Sequence, residues 1–298
     1  MKEGKIIMLK KINKFEYFAP STLAEVISLL AEYKGKAKLY AGGTDVLVQM
    51  KQRKLTPEYI IDIKKIPELN GITYSPEGEL TIGALATHGQ VAISKNVPEK
   101  FTMLKEASLA VGSVQTRNRG TIVGNICTSS PAADAPPALL ALDAGLKLVS
   151  SAGERTVKIN DFFTGPFKNI LKDTEIITEI LIPALPENSG GVYLWHSKIT
   201  EEDETLVGVG VVLTVDNLEN RICANLRIGL GSVAPTPMRA VKAEEFLKGK
   251  IVDEETIEQT AEIAASESLP RSRAEYRKEM VKVQTKRALS QALKKIER

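Results

Sequence analysis

The feature that most constrains this chain is a glycine turn between an expected strand and an expected helix. Residues 36–40 have the pattern of a short strand, and residues 41–43 (AGG) then turn the chain. Thr44 and Asp45 stand where a helix needs its N-cap or an acid in its first turn. Amides at a helix start are unpaired and carry the positive end of the helix dipole, so this turn suits a phosphate or pyrophosphate. Glycine is also the usual residue in any tight strand-to-helix turn, which leaves a purely structural role open.

A second segment, residues 111–144, also concentrates small and polar residues, and we interpret it as a long loop-like stretch that would make a poor core. Asp134 within it could accept hydrogen bonds from ribose hydroxyls. The two segments lie about 80 residues apart, which favours a two-part dinucleotide cradle over a turn-rich surface loop. The residues that would let a polar ligand approach the backbone are Gly120, Thr121, Gly124, Ser129 and Ser130.

The usual phosphate-binding signatures are missing from the sequence. It contains neither the GxGxxG of the dinucleotide-binding Rossmann fold nor the GxxxxGK[ST] of the P-loop. Cys127 and Cys223 form no CxxC pair, and only His88 and His196 are available as imidazole ligands. A disulfide framework, an iron-sulfur cluster and a zinc site built from this chain alone are therefore not expected.

Composition indicates an ordinary globular chain long enough for two domains, with 298 residues, 43% hydrophobic and 26% charged. No apolar run approaches the roughly 20 residues of a membrane span, and the N-terminus lacks a signal-peptide pattern, which predicts a cytoplasmic protein without a membrane partner. A net charge of +3 does not imply nucleic acid. Residues 271–298 hold ten Lys or Arg against three Glu, either as a solvated helix face or as a docking surface.

Secondary-structure patterns divide the chain near residue 187. A helix is expected over 22–33, because Thr22 and Glu25 have capping-box spacing and an apolar stripe follows. From Ile60 onward, short apolar segments including YIIDI, LTIGAL, GLKLVS and TEIITEILIP predict a β-rich region with helices near 88–95 and 99–111. Pro183, Pro186 and the following ENSGG form the best linker.

The remainder predicts an α+β domain with three strands and three helices. The strands are VYLWHSKI, LVGVGVVLTV and RICANLRIGLGSV. One helix should start at Pro237 and end before Gly249, and another should be capped by Asp253. A capping box from Ser272 to Glu275 should open the long C-terminal helix.

Five motifs resemble the FAD-binding, or medium, subunit of molybdenum hydroxylases of the xanthine dehydrogenase and carbon monoxide dehydrogenase type. They occur in the family's order over nearly the whole chain, and RNRGTIVGNI followed by SPAAD is the most specific combination. The motifs are AGGTD (41–45), IGALATH (82–88), RNRGTIVGNICTSSPAADAPPALLALDA (117–144), FFTGPFKNIL (162–171) and TEIITEILIP (174–183).

The resemblance implies an α+β fold with a two-subdomain FAD-binding domain of the PCMH, or vanillyl-alcohol-oxidase, type. This domain would cover residues 1–187, with subdomains of about 1–60 and 61–187 and the flavin between them. Residues 188–298 would form a carbon monoxide dehydrogenase flavoprotein-type domain, a three-stranded sheet with helices.

The resemblance also implies site residues, carried over motif by motif. Thr121 to Asn125 would form a second wall towards phosphate and isoalloxazine, and Asp134 would hold the ribose or nearby polar atoms. Ile177 and Lys198 match positions at the adenine side and the flavin edge, with a core residue and a solvated lysine as their alternatives. The implied pyrophosphate cradle is Lys38, Leu39, Tyr40, Ala41, Gly42, Gly43, Thr44 and Asp45, and the implied second wall is Thr121, Ile122, Val123, Gly124 and Asn125, with Gly112 in the same cleft.

Three other residues have two interpretations each. His88 ends the family-like GAxxTH segment and either contacts the ligand or caps the next helix. Trp195 is expected to pack between domains instead of stacking on flavin. Cys127 lies within the third motif, and we expect it to be a packing residue without redox chemistry.

The resemblance implies that a partner subunit with a molybdenum cofactor hydroxylates the substrate. A small partner with two [2Fe-2S] clusters would pass electrons to FAD on this chain, with NAD⁺ as the expected acceptor and a ferredoxin or quinone still open. The listed residues would position FAD, and no acid or base side chain is expected to be indispensable. The substrate would be set by the large partner.

Two alternatives from other classes remain open at this point. One is a free-standing FAD enzyme of the same broad fold, such as a flavin oxidase or the reductase of UDP-N-acetylenolpyruvoylglucosamine, although no substrate pocket with catalytic acids is evident. The other is a non-redox nucleotide-binding or scaffold protein, which only the basic C-terminal helix supports.

Overall fold

The fold was determined as a computed structural model, which describes residues 11–197 and 204–297. Its first sheet lies near the N-terminus and has three strands. Its strands have the spatial order β1-β3-β2 and all run parallel. Thr22 caps the first helix by accepting from the Glu25 amide at 3.3 Å, as its sequence pattern predicts. The elements are β1 (Glu16–Phe18), α1 (Leu23–Glu32), β2 (Ala37–Tyr40), α2 (Val46–Lys51) and β3 (Tyr59–Asp62).

The segment YIIDI belongs to this first sheet, which corrects its predicted place in the second region. Its strand β3 pairs with β1 on one side and β2 on the other, for example Ile61 with Phe18 and with Leu39. A subdomain boundary at residue 60 would therefore cut through a strand. Ile61 is completely buried, so this central strand anchors the sheet.

The second sheet has five strands in the spatial order β4-β5-β10-β6-β7. Ile177 and Ile180 lie in its central strand and are buried. The strands are β4 (Ile72–Tyr74), β5 (Leu80–Gly83), β6 (Gly145–Ser150), β7 (Gly153–Lys158) and β10 (Ile176–Ile182), with the hairpin β8 (Phe163–Gly165) and β9 (Lys168–Asn169) beside them.

Residues 111–144 are largely helical, so their interpretation as a loop-like stretch with a poor core was wrong. The helix from Ala135 to Ala141 has every residue buried. The small side chains suggested a loop in the sequence. In the structure they allow the helix to pack closely against its neighbours. The helices inserted between β5 and β6 are α3 (His88–Ile93), α4 (Thr102–Leu109), α5 (Val114–Arg117), α6 (Ile122–Thr128) and α7 (Ala135–Ala141).

The C-terminal elements form an antiparallel sheet covered by helices. The three expected strands are present, and a two-residue fourth strand occupies the place where the helix after Pro237 was expected to start. The elements are β11 (Ser189–His196), β12 (Val207–Val215), β13 (Cys223–Gly231), β14 (Met238–Arg239), α8 (Val241–Leu247), α9 (Glu254–Glu267) and α10 (Ala274–Ile296).

The caps of the last two helices differ in how well the sequence predicted them. Asp253 caps α9 through a reciprocal box with Thr256, as expected. The predicted box from Ser272 to Glu275 is wrong, because Arg273 occupies the N-cap in a left-handed conformation without a side-chain cap. The helix is instead held by packing of its apolar face, which includes the fully buried Leu289.

Helix α7 joins the N-terminal domain to the C-terminal sheet. Its backbone lies directly on β12 and β13, because a Cβ at Gly210 or Gly229 would approach the Pro137 carbonyl oxygen to 2.7 or 2.1 Å. The residues before this helix are therefore fixed by both domains. No helix among the described residues is long and apolar enough to span a membrane.

Candidate functional site

The two glycine turns meet in space. A Cβ at Gly42 would lie 2.0 Å from the carbonyl oxygen of Arg119 and 3.0 Å from Cα of Gly120. From the other side, a Cβ at Gly120 would lie 3.5 Å from Oγ1 of Thr44. The convergence predicted from the sequence is thus confirmed, whereas binding of a diphosphate between the turns stays a prediction.

A side-chain hydrogen bond fastens the first turn to α6. Thr128, the last residue of this helix, donates from Oγ1 to Oδ2 of Asp45 over 2.7 Å. Asp45 also occupies the N-cap position of α2 but makes no side-chain cap. Its carboxylate therefore serves the contact between the two segments.

The first turn presents a row of backbone donors. Within the described part of the chain, the amides of Gly42, Gly43, Thr44 and Asp45 have no protein acceptor. Successive unpaired amides at a helix start form a concavity suited to an anion. This is the observation that best fits the diphosphate of a dinucleotide.

The aromatic ring of Tyr40 packs against the backbone of this turn at Gly43. Gly43 has a φ of +76°, and a Cβ there would lie 2.4 Å from the Tyr40 ring. The Lys64 ammonium stands 4.0 Å from the centroid of that ring and 2.5 Å from Oδ2 of Asp62. Burial opposes ionisation of Asp62, but hydrogen bonds from Lys64 and Tyr17 outweigh it and lower its pKa. The ring is thus held in place.

The second turn leads into α6 through a side-chain cap. Thr121 accepts from the Gly124 amide at 3.0 Å, and its backbone bridges to Thr87. Asn125 has a buried Oδ1 without a hydrogen-bond partner in the described chain. Ile122 and Val123 are buried in the core, and the Ile122 amide donates to the Ala86 carbonyl at 3.1 Å.

His88 lies beneath the second turn and is almost fully buried. Its amide donates to the Gly120 carbonyl at 3.0 Å, and Nδ1 has no partner among the described residues. Burial, assisted by the charge of Arg117, lowers the pKa of His88 to about 4. The interpretation of His88 as the cap of α3 was wrong, because Thr87 is the N-cap and forms a capping box with Gln90.

The remaining candidate residues are distributed around this centre. Gly112 has a φ of +43°, and its carbonyl accepts from the Arg117 guanidinium at 2.6 Å. Ile177 is 2% exposed in the core of the second sheet, the packing that its alternative as a core residue predicts. Lys198 lies outside the described residues. Lys38 and Leu39 lie in β2, directly before the first turn.

Asp134 faces the C-terminal domain. Its Oδ1 accepts from the hydroxyls of Tyr193 at 2.9 Å and Thr205 at 2.7 Å. Burial, together with the nearby charge of Glu204, raises its pKa to about 6 despite these bonds. No sequence pattern predicted the two hydroxyl partners, which lie 59 and 71 residues away.

Trp195 and Cys127 have the surroundings expected of packing residues. Trp195 packs against the N-terminal core and stacks on Tyr193 with ring centroids 6.1 Å apart. Burial raises the pKa of the Cys127 thiol to about 11, with Lys38 partly opposing it. Burial likewise raises the pKa of Cys223 to about 12. Thiols in this state are poor nucleophiles.

Two family models match the chain. The model described as FAD binding domain in molybdopterin dehydrogenase matches residues 13–185. The model described as CO dehydrogenase flavoprotein C-terminal domain matches residues 193–292. Together they follow the division between the first two sheets and the C-terminal sheet.

Relatives and a solved structure agree with these models. The carbon monoxide dehydrogenase medium chain of Hydrogenophaga pseudoflava is 34% identical over 284 residues, 94% of this chain and 97% of that one. The xanthine dehydrogenase FAD-binding subunit of Escherichia coli O157:H7 is 34% identical over 282 residues, 93% and 95% of the two chains.

The solved structure of carbon monoxide dehydrogenase from Hydrogenophaga pseudoflava, in a form without the Mo-pyranopterin moiety of its molybdenum cofactor, superposes with a TM-score of 0.89. It shares 34% identity and covers 95% of this chain and 98% of that one. The similarity to these proteins extends over nearly the full length of the chain. The convergent glycine turns and the row of unpaired amides are consistent with the same family assignment. The chain belongs to the family of FAD-binding subunits of molybdopterin dehydrogenases.

Proposed function

We propose that this chain carries FAD in a molybdenum hydroxylase complex and passes electrons from the [2Fe-2S] clusters of a small partner subunit to NAD⁺ or another acceptor. A large partner subunit would hold the molybdenum cofactor and choose the substrate. The observation that carries the proposal is the contact between the two turns, with four unpaired amides from Gly42 to Asp45 at its edge.

The residues of the chain would bind and orient the cofactor. The amides of the first turn would hold the diphosphate, because they present partial positive charge that no acceptor among the described residues neutralises. Thr121 to Asn125 would supply backbone and the Asn125 amide to the second wall, and Asp134 would face the ribose. Bound FAD supplies a redox centre that links one-electron donors to a hydride acceptor.

Two of the described titratable side chains near the turns, His88 and Cys127, keep one protonation state around neutral pH. The pKa of His88 is lowered to about 4, so its imidazole stays neutral. Asp134 is already engaged by two hydroxyls, and the pKa of Cys127 is raised to about 11. Their arrangement supports a protein that positions a cofactor, and the cytoplasmic location stays a sequence-based prediction.

The test begins with the complex purified from its native host. We expect this chain to co-purify with an iron-sulfur subunit and a molybdenum subunit and to contain one FAD. After anaerobic reduction by substrate, reoxidation of the flavin absorption should be followed with NAD⁺, a ferredoxin, a quinone analogue and oxygen in parallel. Isolation of a flavin-free chain without partners would refute the proposal, and the fastest acceptor would identify the physiological class.

A further inference from the structure

The loop 130–134, which follows the second wall, is held at both ends by the C-terminal domain. At its start, the Ser232 amide donates to the Pro131 carbonyl at 2.8 Å. At its end, Asp134 Oδ1 accepts from Tyr193 and Thr205. The three donors all belong to the C-terminal domain: Tyr193 lies in β11, Thr205 in the segment between β11 and β12, and Ser232 directly after β13.

Each of the holding residues is itself fixed. The Arg277 guanidinium of α10 donates to the carbonyls of Ser232 and of Leu206, next to Thr205. The Tyr193 amide donates to Glu106 Oε2 of α4 at 2.9 Å. Tyr193 is 1% exposed, so its hydroxyl cannot turn to solvent.

Asp134 uses only one oxygen in these contacts. Oδ1 receives both hydroxyls, and Oδ2 has no hydrogen-bond partner in the described part of the chain. The residue keeps 8% of its surface exposed. An ionised carboxylate that is otherwise buried needs further donors, because the desolvation of its free oxygen is costly.

We propose that Tyr193 and Thr205 are positioning residues for flavin binding: they fix the Asp134 carboxylate so that its free oxygen accepts from the ribose hydroxyls of FAD. The inference rests on the proposed function, and it gives the C-terminal domain a part in the flavin site through Tyr193 and Thr205, which act on Asp134 and not on the cofactor itself. The second oxygen then gains donors that the described residues do not supply.

The experiment titrates FAD into the flavin-free full chain and measures the dissociation constant together with the melting temperature. Trp195 is the only tryptophan and stacks on Tyr193, so quenching of its emission reports binding. Thr205→Val and Tyr193→Phe each remove one hydroxyl and retain the shape of the side chain. We expect either to weaken FAD binding about tenfold, the effect of one hydrogen bond to a charged group.

Two further variants separate positioning from stability. Thr205→Ser retains the hydroxyl and should bind FAD within about twofold of wild type, since the hydrogen bond is preserved. Ser189→Ala removes the hydroxyl contact of 2.8 Å between Ser189 of β11 and Thr214 of β12, away from Asp134. It should lower the melting temperature without weakening FAD binding. Thr205→Ala replaces Thr205→Val if the latter does not fold.

Wild-type affinity in both Thr205→Val and Tyr193→Phe would overturn the positioning role while leaving the proposed function intact. Equal loss of affinity in Thr205→Ser and Thr205→Val, or in Ser189→Ala, would also overturn it, because the effect would then follow structural damage. A wild-type chain that does not bind FAD would instead refute the proposed function, and this inference with it.

Discussion

Gly42 and Arg119 touch across the two turns so closely that no side chain fits between them. A Cβ on Gly42 would come within 2.0 Å of the Arg119 carbonyl oxygen and 2.7 Å of its carbonyl carbon. Both atoms belong to the backbone and cannot rotate away as a side chain would. The spacing of the two walls therefore depends on the absence of a methyl group at one position.

Replacing Gly42 with Ala should push the two turns apart. Overpacking of this kind costs about 1–3 kcal/mol in stability, and displaced amides should weaken FAD binding by roughly tenfold or more. Equilibrium binding and urea unfolding measure the two effects. Gly165→Ala is the matched control, since a Cβ there meets only Lys168 side-chain atoms at 3.9 Å. Normal FAD affinity in Gly42→Ala would show that the contact does not shape the site.

Gly43 allows a second comparison in which backbone strain is held constant. Gly43 and Gly249 have φ angles of +76° and +79°, but a Cβ meets the Tyr40 ring at 2.4 Å in the first and nothing within 4 Å in the second. Alanine at either position should cost about 1 kcal/mol from the left-handed backbone. Only Gly43→Ala should also lose FAD affinity.

The comparison of these two variants needs only flavin content and a denaturation curve for each. If Gly249→Ala loses as much flavin as Gly43→Ala, then global stability controls occupancy and the first turn has no special role. If neither loses flavin, the Tyr40 ring moves freely, contrary to its contact with Lys64.

Sequence patterns correctly predicted the elements whose structure depends on interactions between neighbouring residues. The helix α1 follows from its apolar spacing and the Thr22 cap, and the turn at residues 41–43 follows from its glycines. Strand β3 was assigned to the wrong region because its place depends on pairing with β1 and β2, which no local pattern encodes.

The site shows the same limit. Convergence of the two turns could be predicted, because both segments contain glycines that expose the backbone and a single dinucleotide would use both. The burial of α7 could not, since its small residues gain their environment from Gly210 and Gly229 of the distant C-terminal sheet. The hydroxyls around Asp134 were missed for the same reason. Contacts between domains depend on tertiary packing that periodicity does not describe.

His88 should make the chain less stable as the pH falls. Its pKa is lowered to about 4 in the folded protein against about 6.5 unfolded, so the unfolded state binds the proton first. About 3 kcal/mol should be lost between pH 6.5 and pH 4. The difference in unfolding free energy between wild type and His88→Gln, measured across this range, isolates the effect. A difference that does not change with pH would mean that the imidazole is solvated in the folded state.

Asp134 should make the chain less stable as the pH rises, over nearly the same pH range in which His88 makes it more stable. Its pKa is raised to about 6 in the folded protein against about 3.9 unfolded, so the folded state retains the proton longer. Its contribution is fully present below pH 4 and is lost as the pH rises through 6, by about 3 kcal/mol. Asp134→Asn should remove this loss, because an amide has the same shape, accepts from Tyr193 and Thr205, and does not ionise.

The two titrations should nearly cancel in the wild type, so that its stability changes little between pH 4 and 6.5 on account of these residues. Each single variant should reveal the titration of the residue that remains. The unfolding free energy should fall with rising pH in His88→Gln and should increase with rising pH in Asp134→Asn. Urea unfolding of both variants at several pH values measures the slopes. Slopes of the same sign in the two variants would show that one of the two side chains is not buried as described, because burial is what gives the acid and the base their opposite shifts.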